Sequence, residues 1–156
     1  MTFQIRALDQ DAFLGFFAMS DGELANHGAV RRIATAKPGF PCRVSLADAE
    51  IGDELILINH MHQPHASPYR ASHAIFVRKG VETAKPMIGE TPQFFRARAL
   101  SLRAFDSEAM IVAAELMLDG ENLGPALDKL FDIEKVSYVH IHFAKFGCYA
   151  ARADRV

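Results

Sequence analysis

Six of the seven histidines fall into two groups, His60, His62, His65 and His73 in one and His140 and His142 in the other. In an extended chain alternate side chains share a face and lie about 6.5–7 Å apart, so His60-Met-His62 and His140-Ile-His142 each present two imidazoles on one side. Tyr138 joins the second pair, while Val139, Ile141 and Phe143 form an apolar opposite face. That pattern assigns the core to the odd-numbered residues and sends His140 and His142 toward solvent, a cleft or a second packed layer. Burying both without partners is costly. Neutral imidazole is the commonest metal ligand, and a strand holds two of them rigidly. His60, His62, His140 and His142 are therefore candidate ligands for a divalent ion such as Zn, Fe or Ni. The same rings could instead hydrogen-bond to backbone, to Tyr138 or to one another.

The remaining reactive groups are thiols and guanidinium forks. Cys42 lies in Phe40-Pro-Cys-Arg43 and Cys148 in Phe146-Gly-Cys-Tyr149. A thiol becomes nucleophilic beside a cation in an accessible place, so Cys42 next to Arg43 is the candidate nucleophile, with His140 and His142 as acid/base partners. Either cysteine could equally be a small buried hydrophobe. Arg43, Tyr69, Arg70, Arg152 and Cys148 are candidate ligand-binding groups, because a planar guanidinium matches a carboxylate or phosphate. Arg31, Arg32, Arg96, Arg98 and Arg103 read as solvated strand faces. No phosphate loop, dinucleotide fingerprint, His-Glu-x-x-His or Gly-x-Ser-x-Gly occurs, which removes the common nucleotide and hydrolase chemistries.

These groups need elements to position them. Residues 3–7 read as a strand and 11–18 as a short helix with Phe13, Phe16 and Phe17 on one face. Ser20-Asp-Gly-Glu23 is a capping box opening a second helix, with Gly28 as its left-handed terminator. Residues 31–36, 55–62 and 74–79 read as strands, 97–105 and 110–118 as a hairpin, and 136–144 and 148–153 as a closing pair. Between them Leu123, Ala126, Leu127, Leu130 and Phe131 recur at helical spacing, with Pro125 tolerated in the first turn. The class is α+β: a mainly antiparallel sheet with two or three short helices packed on one face or end.

Length and composition bound what such a fold can be. The 156 residues carry 17 Lys plus Arg against 19 Asp plus Glu, and half are hydrophobic, as expected of a single globular domain over 1–156. The balanced charge argues against nucleic acid as partner. No apolar run approaches the roughly 20 residues of a membrane span. The segment from Met1 to Gln10 lacks the basic head and apolar run of a leader, so the expected compartment is the cytoplasm, with both cysteines as free thiols.

The stretches Pro38–Arg43, Ser67–Arg78, Leu100–Ala104 and Val139–Arg152 resemble a bacterial family, domain of unknown function 1203. The resemblance spans nearly the whole chain and implies a stand-alone domain whose signature regions include Cys42, Arg43, Tyr69, Arg70, His140, His142, Cys148 and Arg152. It implies no activity. Three readings follow from the residues: a small-molecule site with enzymatic chemistry in a His/Cys/Arg-lined pocket, a homodimeric binding or assembly protein with structural His and Cys, and a thiol-redox or metal-handling protein.

Overall fold

Strand-forming runs with one apolar face dominate the computed structural model, which describes residues 2–156. In chain order the elements are β1 (Phe3–Arg6), single-turn 3-10 segments at Gln10–Ala12 and Leu14–Ala18, α1 (Asp21–Asn26), β2 (Ala29–Ile33), β3 (Pro41–Cys42) and β4 (Ala47–Asp48). There follow β5 (Glu54–Gln63), β6 (Ala71–Arg78), a 3-10 turn at Gln93–Phe95, β7 (Leu100–Phe105), β8 (Ile111–Met117), α2 (Leu123–Phe131), β9 (Tyr138–Phe143) and β10 (Tyr149–Arg155). The strands form two five-stranded sheets, ordered β1-β10-β9-β7-β8 and β2-β5-β6-β3-β4. Pairing is antiparallel apart from the short β3, which runs parallel to β6. This is the α+β class expected from the pattern. Among the described residues no helix is long and apolar enough to cross a membrane.

Each sheet buries one apolar face under helical cover. In the first, Leu100, Leu102, Val139 and Ile141 pack beneath Leu123, Leu127, Leu130 and Phe131 of α2. The odd-numbered residues of β9 are thereby fixed in the core, which obliges His140 and His142 to face the other way. In the second sheet Ile56, Ile58, Ile75 and Val77 pack with Phe13 and Leu24 from the N-terminal turns. The capping box at α1 is complete: Glu23 N–H donates to Ser20 Oγ at 3.2 Å and Ser20 N–H to Glu23 Oε2 at 2.7 Å.

Three local features differ from the sequence pattern. The segment 11–18 forms two 3-10 turns rather than one helix, with Gly15 contributing poor helix propensity and Asp9 capping only the first turn through Asp11 N–H. The strand expected at 31–36 instead starts at Ala29, directly after the left-handed Gly28 (φ 63°), and ends at Ile33. Strands β3 and β4 are two residues each, too short to show any alternation.

One glycine is fixed by space alone. A Cβ on Gly120 would collide with the Phe95 carbonyl, and Gly120 N–H itself donates to Arg96 O at 2.9 Å. Gly120→Ala is expected to lower stability by about 1–3 kcal/mol. Gly22→Ala, in α1 with open space around it, should leave stability unchanged or raise it slightly. Thermal or urea denaturation of the two variants measures the contrast.

Candidate metal centre at the seam between the sheets

The even-numbered face of β9 does not meet solvent. His140 and His142 are 2% and 0% exposed, covered by neighbours in their own sheet and by imidazoles reaching over from the second sheet. His62 near the end of β5 lies edge-on to both, with ring centroids 5.4 and 5.1 Å away. Tyr149, which opposes His142 in the β9–β10 register, stacks on His62 at 4.9 Å. His73 of β6 lies nearly parallel to His62, with ring centroids 4.7 Å apart and His62 Nε2 2.6 Å from His73 Nδ1. His62 Nδ1 lies 3.4 Å from His140 Nδ1. One ligating nitrogen from each of His62, His140 and His142 can be chosen so that all lie within 4.8 Å of one another. The three residues could hold a metal ion.

The tautomer of His142 is set by its surroundings. Its Nδ1 is 3.0 Å from the Gly147 carbonyl and must carry the proton to donate there. Nε2 is left as a buried lone pair without a hydrogen-bond partner. A backbone carbonyl that takes one ring N–H and aims the other nitrogen inward is the arrangement that supports a metal-ligating imidazole.

Charge is absent from the cluster. Burial, reinforced by neighbouring His and Arg side chains, pushes His62 and His140 down to about 3. Burial pushes His142 to about 2, with the Gly147 hydrogen bond opposing and Arg103, His62 and His140 adding to the drop. His60 and His73 are lowered in the same way, by burial and, for His73, by Arg103 as well. The rings are therefore neutral at pH 7, which is the state that binds metal. Burial also raises the Tyr149 phenol, so it too is uncharged.

A cleft of about 770 Å³ adjoins the seam. Phe40, Phe76, Phe143, Phe146 and Leu57 supply apolar walls, and Arg43, Cys148 and His73 line it as well. Since His73 also touches His62, the cleft wall is one imidazole away from the cluster. Arg43 is 1% exposed, donating from Nε to Tyr149 O at 2.9 Å and from Nη2 to Cys148 Sγ at 3.0 Å, with its guanidinium 4.9 Å over the Phe143 ring. Burial pulls its basicity down, opposed by the two sulfurs.

The sequence candidates are distributed unevenly over this arrangement. His62, His140 and His142 converge, whereas His60 sits to the side, 6.0 Å from Phe13 and 6.2 Å from Tyr149. Arg43 and Cys148 share the cleft. Cys42 is wholly buried in the apolar core of the second sheet, where its sulfur accepts the N–H groups of Ser45 and Arg78 at 3.4 and 3.3 Å. Such a sulfur is sheltered from any substrate. Tyr69 and Arg70 are exposed on a loop held to the β7–β8 hairpin by Ser67 Oγ, which donates to Ala109 O at 3.1 Å, and by the Tyr69–Phe105 ring contact. Arg152 opposes His140 in register but spends its charge on Asp154 at 2.6 Å while stacking 4.0 Å over Tyr138.

Two members of the site were not among the ligand candidates read from sequence, although His73 was grouped with the first set of histidines. His73 pairs with His60 across β5–β6, and a hairpin register drawn between the two strands would have found it. Arg103 opposes His140 across β7–β9 and is half-buried, not solvated. Arg98 likewise is no free surface charge, since it is paired with Asp48.

The architecture is thus a pair of α-covered sheets with a polar, imidazole-lined seam. A family described as a protein of unknown function, DUF1203, matches residues 39–155. The chain belongs to that family, and the match takes in all of the cluster and the cleft-lining residues. No curated protein matches the chain, and no solved structure does.

The depressed imidazoles make stability depend on pH. An unfolded histidine titrates near 6.5, whereas in the fold these rings stay neutral to far lower pH, so the unfolded state takes up more protons below about pH 6.5. Their contribution is complete above that value and declines as the pH falls toward 3. At about pH 5 each deeply buried ring is expected to have cost roughly 2 kcal/mol. Melting temperatures of metal-free protein from pH 7 down to 5 measure it, and a flat profile contradicts neutral burial.

Proposed function

We propose that the protein binds a divalent transition-metal ion on His62, His140 and His142 and acts through it on a small molecule. The observation that carries this reading is the His142 ring, with Nδ1 satisfied by Gly147 and a buried Nε2 lone pair left over beside two further imidazoles. Three neutral nitrogens leave the charge of a divalent ion uncompensated and a fourth position open, the composition of a catalytic rather than a closed structural site. The all-imidazole set suits Zn, Fe, Ni or Cu over Mg or Ca, which prefer oxygen. Bound there, the ion would polarise an oxygen ligand or lower the pKa of a water. The chain's own residues hold and orient it: Gly147 sets the His142 tautomer, Tyr149 lies parallel to the His62 ring while His73 approaches its Nε2, and the adjoining cleft offers an apolar, partly cationic wall.

A second reading has its own support. The 2.6 Å contact of His62 with His73 and the 3.4 Å contact with His140 could make those three rings a hydrogen-bonded core without metal.

Metal-free protein titrated with Zn(II) or Co(II) separates the two. About one ion per chain is expected, with a rise in melting temperature and, for Co(II), a visible absorption of low coordination number. His142→Ala is expected to abolish binding. His62→Gln, at the half-exposed ligand, should weaken binding severely while the circular dichroism of the fold is kept. Failure of all these ions to bind or stabilise the wild type leaves the hydrogen-bonded core as the answer.

A further inference from the structure

Arg103 is the group in this region whose position no other contact explains. It stands on β7 directly opposite His140, with Ser101 opposite His142, so both project from the face that carries the cluster. Among the described residues the Arg103 side chain makes no hydrogen bond and no ion pair, although it is half-buried and desolvation lowers its basicity. The other arginine on this face, Arg152, has Asp154. Arg103 has only imidazoles, and its charge is felt by His62, His73, His140 and His142 alike. A half-buried guanidinium without an anion is unfavourable, and placing a divalent ion nearby makes the locus more positive still.

The same face also shows where a ligand could enter. Beyond β7 it continues to Ala114 and Leu116 of β8, opposite Arg103 and Ser101, and both are exposed. The cover supplied by the second sheet therefore ends at β7. Arg103 stands on that border, with buried imidazoles on one side and open surface on the other. Aromatic rings flank the approach: Phe105 contacts His140 at 4.9 Å and Tyr69 at 6.3 Å.

We propose that Arg103 and the metal form a two-point site for a small carboxylate, with one oxygen on the ion and the guanidinium fork on the carboxylate. The inference rests on the metal reading above and names the substrate class for it. A carboxylate fits because it is planar, it supplies the missing negative charge to both groups, and a guanidinium fork recognises it directionally where an ammonium does not. An imidazole set without a protein carboxylate leaves that ligand type to the substrate.

The test uses Co(II)-loaded protein and two anions, followed through the Co(II) absorption. Acetate can engage both the ion and Arg103, whereas thiocyanate binds through a single donor atom to the ion. Arg103→Met is expected to weaken acetate binding roughly tenfold or more, with a smaller loss for thiocyanate. Arg103→Lys should restore the thiocyanate affinity, which follows charge, but only part of the acetate affinity, which follows the fork. The intact Co(II) spectrum of each variant shows that the site is formed. Acetate affinities that agree across the three proteins, or losses equal for the two anions, overturn the Arg103 assignment and leave the metal site standing. Absence of the Co(II) spectrum in the wild type overturns both.

Discussion

Imidazoles can share a water-poor interior only while they are uncharged, and the seam between the two sheets is organised by that constraint. Four histidine rings and a tyrosine meet there, and the ring nitrogens of His62, His73 and His140 turn toward each other with no carboxylate among the groups that set their charge. A buried carboxylate beside them would favour imidazolium and would turn the seam into an ion-pair network. Without one, each ring keeps a lone pair, and the interior stores basic nitrogens that water cannot reach. Such nitrogens bind protons poorly, because a proton brings charge into a dry place and nothing to coordinate it. An ion gathered by several rings at once meets the same desolvation with several bonds in return.

The apolar cores make this arrangement tolerable. Helix α2 and the odd-numbered residues of β9 bury Val139 and Ile141 completely, which locks the strand's rotation about its own axis. A slip of one residue would exchange the histidines for these aliphatic side chains. The polar seam is therefore held by packing on the other side of the same strand, and its own hydrogen bonds need contribute little to stability. Function and stability are divided between the two faces of one six-residue element.

That division explains which parts were legible from sequence. Alternation along 138–143 was enough to place the core on Val139, Ile141 and Phe143 and to point both histidines away from it. Periodicity found α2 within its actual bounds, and Ser20 with Glu23 announced α1. Pairing across strands was not encoded in any single run: His73 and Arg103 join the site only through the registers His60–His73 and His140–Arg103. Arg103 read as solvent-facing because its own strand does alternate, and the fact that a second sheet reaches as far as β7 is a tertiary fact. Cys42 was attractive for its neighbour Arg43, yet Cys42 ends β3 and Arg43 opens the turn that follows, so the two side chains part. Arg43 accordingly reaches the cleft while Cys42 enters the core.

Arg43 has a different role from the one its chemistry first suggests. Its backbone belongs to the second sheet, where its N–H donates to Phe76 O at 3.1 Å, and its guanidinium reaches Tyr149 O and Cys148 of the first. The imidazoles gathered at the seam also come from both sheets, His62 from β5 and His140 with His142 from β9. Any sliding of one sheet on the other would change the His62–His140 and His62–His142 distances together. A buried guanidinium donating to the Tyr149 carbonyl, two residues from the Gly147 carbonyl that orients His142, is well placed to prevent that sliding. Its directional bonds fix both distance and angle in a way apolar packing alone does not. The cation in the cleft thus serves the geometry of the neutral seam, and the anion-recognising role falls to the arginine that has no partner of its own.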